Sequence, residues 1–437
     1  MAEVHRRLSA SILVALLGNA FAPLASIATA PILAQALGVD GRGTVAAATA
    51  PLLLASAVAT FGVPAAVTYT TARFPAVARR LAGRGALVLL ATGSAVSAAI
   101  VAASGFFAGG DPAVRNLVVL AAAALVPTLL VALLQAVASG LHRWRLVTLE
   151  RAITAAVRLG ALLVLMLLGR LDVVAAVVVL AVAPVLGAVA YTSLFRVRGA
   201  PAPSASATEQ ASVGALASYG MRVWVGSISG ILLTRLDQSL MTPLSSAAEL
   251  GLYVVAVNVA DLPLVISNAV RDVTFSSHAA DSDDARLYTA SRLSSAVTVG
   301  VAGALAATTW WWLPIVFGAD FAAALPACLL LLLATALGAQ GGLAGTALSA
   351  RGRPGRRSAS MIVACVVNAA LLVVLVPLFG AVGAAIGTCA GNLTSSTLNV
   401  LGARRLLGMP ARGFYGLRRS DLVVLRSVAV RLLRRAR

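Results

Sequence analysis

Residues 218–278 hold Thr234-Arg235-Leu236-Asp237-Gln238-Ser239, then Glu249-Leu250-Gly251-Leu252-Tyr253, then Asn258, Asp261, Pro263 and Asn268. The residues around them are apolar enough to lie in a lipid bilayer. Charges and amides in such a frame need a reason, because an ionisable group in hydrocarbon is costly unless it lines a path, pairs or binds. The rest of the chain repeats, frames and orients this stretch.

The 437 residues are 60% hydrophobic and 11% charged, with a mean hydropathy of +0.94. A soluble globular domain is excluded. Apolar segments fall at about 9–37, 44–70, 86–108, 114–138, 147–169, 172–195, 216–245, 250–275, 290–317, 322–349, 358–378 and 381–401. They predict an all-α polytopic membrane protein of about 12 transmembrane helices, since about 20 apolar residues cross a bilayer as a helix.

The net charge of +19 does not point to nucleic acid. The arginines sit in short clusters between apolar runs and in the tail, a topogenic pattern that also suits anionic lipid. Counted from a cytoplasmic N-terminus with His5, Arg6 and Arg7, the even-numbered loops are basic. They hold Arg73, Arg79, Arg80 and Arg84, then Arg143, Arg145 and Arg151, then Arg196 and Arg198, and later Arg351, Arg353, Arg356 and Arg357. In the loop at 276–292, Asp281, Asp283 and Asp284 offset Arg286 and Arg292. Both termini are expected in the cytoplasm. Arg6-Arg7 and Ala28-Thr29-Ala30 loosely resemble a cleavable signal, but the apolar run continues to Leu37 and reads as a span. Trp310-Trp311-Trp312 and Phe106-Phe107 fall near outer ends, as an aromatic belt would.

Cys328, Cys365 and Cys389 are widely spaced in apolar segments, and His5, His142 and His278 are scattered. No metal-ligand spacing, phosphate loop or nucleophile motif occurs, so no metal, cofactor or catalytic residue is expected. Beyond Gly402 the chain becomes basic. From Asp421 on, Leu422, Leu425, Val428, Ala429, Leu432 and Leu433 share one helical face. That fits a basic amphipathic helix on anionic lipid of the cytoplasmic leaflet, and equally a topogenic tail.

The halves match at an offset of about 210 residues. The stretch from Leu37 to Gly43 ends the first span as Ser246 to Gly251 ends the seventh. Ser139-Gly140 through Arg143 corresponds to Ser349-Ala350 through Arg353, and the run from Arg158 to Gly169 to that from Asn368 to Gly380. Six spans per half give both halves the same orientation. The expected plan is a six-helix lobe at 1–199, a cytoplasmic linker at 200–214, a second lobe at 215–403 and a basic tail at 404–437. Parallel repeats of this kind place a transport site at their interface near the midplane.

Span eight carries Asn258, Asp261, Asn268 and Asp272, of which the last three share a face that Asn258 adjoins. Asp261 lies ~15 Å along the helix. It is a candidate to carry H+ or Na+, to pair with an arginine or to bridge helices. Arg235 and Asp237, at i and i+2, point to different faces. Asp237 joins Asp261 as an ion-coupling candidate. Arg158 sits near the middle of span five on the face of Arg151 and Thr154. A mid-span arginine costs at least ~3 kcal/mol, so Asp237, Asp261 or a substrate phosphate should offset it. Arg158, Arg222, Arg235, Asn258, Asn268, Asn368 and Gln135 are the candidate cavity residues. Each amide alone is as readily helix–helix glue.

Leu37-Gly38 through Gly43, Gln135 through Ser139-Gly140-Leu141-His142-Arg143, and above all Arg235-Leu236-Asp237 followed by Leu250-Gly251-Leu252-Tyr253-Val254-Val255-Ala256 carry a resemblance. In their order and spacing the chain, to about residue 405, resembles the polysaccharide-biosynthesis flippase branch of the multidrug/oligosaccharidyl-lipid/polysaccharide exporter superfamily. The resemblance implies two six-helix lobes in a V, opening alternately to each side of the bacterial plasma membrane. It implies a lipid-linked oligosaccharide on undecaprenyl diphosphate as cargo, a cationic cavity to hold it, and polysaccharide assembly proteins as partners. Val273-Thr274-Phe275 stands where such proteins often place a proline. A monomer is expected, because the cavity lies within one chain. Alternatives are a drug/cation antiporter of the same superfamily, disfavoured by 5% aromatic residues and intramembrane arginines, and a peptidoglycan-precursor flippase. A membrane enzyme would need a sizeable polar loop that is missing, and a scaffold would need no buried polar stripe.

Overall fold

The computed structural model describes residues 2–194, 213–264 and 284–416, with side chains from 25 onward except at 213, 215, 222, 225–227 and 284–286. The described chain is helical throughout, without a strand. Bilayer physics requires this, since no water is present to take up backbone N–H and C=O groups and each must pair within its own helix.

The first half holds α1 (Ala2–Ala59), α2 (Val63–Arg73), α3 (Ala78–Ala102), α4 (Ser104–Phe107), α5 (Pro112–Ala123), α6 (Leu125–Gly140), α7 (Trp144–Leu167) and α8 (Val173–Gly187). The second holds α9 (Val213–Leu244), α10 (Ala247–Ala260), α11 (Asp284–Phe317), α12 (Leu325–Ala350) and α13 (Pro354–Leu407). Two of these are double. α1 breaks at Gly38, with φ 66° and ψ −171°. α13 breaks at Gly380, with φ 53° and ψ −128°. Both conformations lie in the region that favours glycine. The breaks coincide with the boundaries between the first two and the last two predicted spans.

The turns predicted on the outer side use short polar caps. Asp111 accepts from Ala113 N and Asp172 from Ala175 N, each at 2.7 Å. Ser246 accepts from Glu249 N at 3.2 Å. In each case a side-chain oxygen satisfies an amide that the first helical turn leaves free. Glu249 does not turn back on its own cap. Its Oε2 accepts from Ala381 N at 2.7 Å and so caps the second part of α13.

Among the described residues eight helical stretches are long and apolar enough to cross a membrane. Two of the long helices, α7 and α9, fall outside that set. They carry Glu150, Arg151 and Arg158, and Arg235 and Asp237. These two helices thus bear candidate charges, while Gln135, Asn258, Asp261 and Asn368 lie on stretches within the set.

α9 is tied to the first half along its length. Phe61 stacks on Trp224 with centroids 5.1 Å apart, and Tyr69 on Tyr219 at 4.7 Å. Trp224 Nε1 lies 3.1 Å from Ala57 O and 3.2 Å from Val58 O. At the opposite end of α9, Gly109 approaches so closely that a Cβ there would lie 2.9 Å from Thr242 O. Gln35 Nε2 donates to Val316 O at 2.8 Å, tying α1 to α11. A Cβ on Gly43 would lie 3.0 Å from Gly251 N, and one on Gly251 the same distance from Gly43 N. The two glycines matched by the sequence repeat thus touch each other.

α13 passes 404 and ends at Leu407, with Gly408 at φ 69°. Arg404 and Arg405 fall in its last turn, where the helix dipole favours cations, and glycine closes the helix in the left-handed conformation. The chain then folds back on α11. Arg292 Nη1 donates to Gly413 O at 3.2 Å, and Tyr288 meets Phe414 edge-on at 5.4 Å. The predicted linker lies outside the described residues but for the first residues of α9, and the amphipathic stretch from 421 lies wholly outside them.

Candidate functional site

The intramembrane polar groups gather into two clusters. The first joins α9, α10 and the second part of α13. Asp237 is 2% exposed. Its Oδ2 accepts from the Tyr253 hydroxyl and, at 3.3 Å, from Thr388 Oγ1, while its Oδ1 accepts from Gln238 N at 2.7 Å. Tyr253 and Thr388 are themselves 3.0 Å apart. Tyr253 is fully buried, so its phenol has no water to turn to. Two consecutive helices and the remote α13 thus converge on one carboxylate.

Arg235 is half-buried, and its positive charge acts on both Asp237 and Asp261. The expectation that Arg235 and Asp237 leave their helix on different faces fits this arrangement, in which Asp237 turns to Tyr253 and Thr388. Asn258 is half-buried with Nδ2 unpartnered. Asn268 and Asp272 lie outside the described residues, as does the side chain of Arg222.

Asn368 is fully buried and lines no open path in this structure. Its Nδ2 donates to Leu233 O at 3.5 Å, and a Cβ on Gly387 would lie 3.0 Å from its Oδ1. It is the bridge between α13 and α9 that the alternative reading of such an amide allows. The glycine lets the two parts of α13 close on it.

The second cluster is built on α6, α7 and α8. With its amide oxygen turned to the guanidinium, Gln135 accepts from Arg151 Nη2 at 2.9 Å and Nε at 3.2 Å. Glu150 is 7% exposed and accepts from Thr154 Oγ1 at 3.1 Å. The Tyr191 hydroxyl faces Glu150 without reaching hydrogen-bond geometry. Gly187 permits the approach of α8, since a Cβ there would lie 3.0 Å from Glu150 O. Two turns along from Arg151, Arg158 is half-buried and its Nε has no hydrogen-bond partner. Among the described residues neither Asp237 nor Asp261, the expected counter-charges, forms an ion pair with Arg158; Asp237 is taken by Tyr253, Thr388 and Gln238 N.

Sequence reasoning passed over Glu150, Tyr253 and Thr388. Glu150 had a signal, as the one acid between Asp111 and Asp172. Tyr253 was visible only as part of a motif. Thr388 had none, because 151 residues separate it from Asp237.

The polysaccharide biosynthesis protein family matches residues 8–275. The chain belongs to that family. No curated protein sequence matches it. Among solved structures, lipid II flippase MurJ in an inward closed conformation is similar with a TM-score of 0.73 and 11% identity, over 96% of this chain and 92% of MurJ. A multidrug resistance MATE family transporter of the MOP superfamily, inward-facing, has a TM-score of 0.68 at 14% identity, over 90% of this chain and 98% of its own. A MOP superfamily transporter from Pyrococcus furiosus has 0.57 at 14%, over 91% and 94%. At these identities the likeness is one of fold. This polysaccharide biosynthesis protein is a multi-pass α-helical membrane protein with a MATE-like fold.

Proposed function

We propose that this protein moves an undecaprenyl-diphosphate-linked oligosaccharide, or a related polysaccharide precursor, across the bacterial plasma membrane by alternating access. Twelve spans, two six-helix lobes and cytoplasmic termini belong to the same reading. The observation that carries it is Arg158, a half-buried mid-helix guanidinium whose Nε has no hydrogen-bond partner among the described residues. A buried arginine without a counter-charge is suited to an anionic cargo, and its planar fork matches phosphate oxygens in pairs. Arg235 would extend the cationic path from the other half. Asp237 and Asp261 are the proposed coupling groups for H+ or Na+. In the present state Asp237 is closed off by Tyr253 and Thr388, so a cation would enter when α9, α10 and α13 part.

The test is accumulation of lipid-linked oligosaccharide in cells lacking the protein, complemented by wild type, Arg158→Ala or Asp261→Ala. Build-up on the cytoplasmic side, cleared by wild type but not by Arg158→Ala at equal protein level, is the expected result. No build-up, together with altered sensitivity to cationic dyes, would replace this reading by a drug/cation antiporter.

A further inference from the structure

Arg42 follows the turn that begins at Gly38 and takes no part in either cluster. It is 8% exposed, and its Nε is buried without a hydrogen-bond partner among the described residues. The acids that lie beside Gly43 and Gly251 in sequence are spent elsewhere. Asp40 is exposed on the turn itself, and the Glu249 carboxylate is committed to Ala381 N at 2.7 Å. Among the described residues Arg42 forms no ion pair. A guanidinium buried without a counter-charge is one of the least favourable arrangements in a protein.

Its position explains how it comes to be buried. At roughly 100° per residue, Arg42 lies roughly 60° from Val45 and roughly 100° from Gly43 on the helix surface. Val45 packs into the core of the first half with Leu162 and Val177. Gly43 abuts Gly251 at the crossing of α1 and α10. Arg42 therefore lies between the face that packs into the first half and the face that meets α10. Parting the helices at Gly43 and Gly251 would uncover it at the mouth of the path between the halves.

We propose that Arg42 is an anion-binding residue for the phosphate groups of the cargo at the Gly38 end of the molecule, masked in this state and uncovered when α1 and α10 separate. The inference rests on the flippase reading above and adds the place where cargo is received on the far side. Arg158, deep in α7, and Arg42, at the end of the path, are both half or fully buried guanidinium groups with unpartnered Nε atoms. A diphosphate passing between them exchanges one unpaired cation for another. The masked arginine also makes closure of this end costly, so an anion that binds it favours the open arrangement by its difference in affinity for the two states.

The test uses the full-length protein in phosphatidylcholine nanodiscs, with Cys328, Cys365 and Cys389 replaced by alanine. Nitroxide labels are placed at Asp40→Cys and Ser245→Cys, both exposed at this end. Farnesyl diphosphate is the probe, and its binding is followed separately by tryptophan fluorescence. The expected result is that farnesyl diphosphate raises the long-distance population several-fold in wild type and in Arg42→Lys. Arg42→Gln should lose that shift and bind the probe several-fold more weakly than wild type. Arg42→Met keeps the stem and answers the same question should the glutamine variant be recovered poorly. A full shift in Arg42→Gln or Arg42→Met with binding intact overturns the inference and leaves the flippase reading standing. Absence of farnesyl diphosphate binding by wild type overturns both. An equal shift on replacing phosphatidylcholine by phosphatidylglycerol, without the probe, assigns Arg42 to bilayer headgroups and overturns the cargo assignment.

Discussion

Replacing Tyr253 by phenylalanine removes one hydroxyl from the centre of the second half and leaves the ring. The hydroxyl donates to Asp237 Oδ2 and lies 3.0 Å from Thr388 Oγ1, at a residue with no exposed surface. A hydrogen bond to an ionised group contributes about 1.5–3 kcal/mol, against about 1 kcal/mol for a neutral pair. Tyr253→Phe should therefore cost about 2 kcal/mol in reversible unfolding of the purified protein in mixed micelles. With Asp237→Asn already present, the hydroxyl meets a neutral amide and its removal should cost only about 1 kcal/mol. The double-mutant cycle then shows a coupling of about 1 kcal/mol, well above the ~0.5 kcal/mol within which independent sites add. Equal costs in the two backgrounds would refute the claim that Tyr253 stabilises a charged Asp237. The Thr388 hydroxyl, at 3.3 Å from the same oxygen, remains in every arm and sets the residual.

Three further outcomes follow from the same contacts. Glu249→Ala should free the amide of Ala381, with faster hydrogen exchange over the first turn after Gly380 and a loss of about 1–3 kcal/mol; unchanged exchange there would remove Glu249 from its capping role. Gly251→Ala would drive a Cβ into Val39 O and set it 3.0 Å from Gly43 N, so it should hold the Gly38 end apart, read as raised maleimide labelling of the half-buried Val39→Cys, and labelling at the rate of the Gly251 protein would show that the crossing tolerates the methyl group. Arg158→Leu should leave thermal stability unchanged or raised, because it removes an unpaired buried charge, while export fails; a drop of more than about 2 kcal/mol, the size expected when a buried hydrogen-bonded pair is broken, would identify a partner instead of a path.

Membrane class, helical content and the approximate place of nearly every helix could be read from apolar runs, because a bilayer allows few alternatives and hydropathy is a local quantity. The breaks at Gly38 and Gly380 were legible for the same reason, since a glycine between two apolar runs marks where the backbone must leave the helix. The choice of Asp237, Asp261, Arg158 and Arg235 as residues in need of explanation also came from local context, as charges out of place in lipid. What each of them touches did not. Asp237 finds Tyr253 and Thr388 on two other helices, Gln135 finds Arg151, Glu249 finds Ala381, and Asn368 turns out to be a buried bridge to Leu233. Those partners are set by how helices cross, and the crossings depend on side-chain shapes summed over whole faces, as at Gly43 against Gly251. Local sequence therefore determined which segments lie in the membrane and which groups need company there, and only the packing of helices decided which groups were satisfied and which arginines were left buried without a partner.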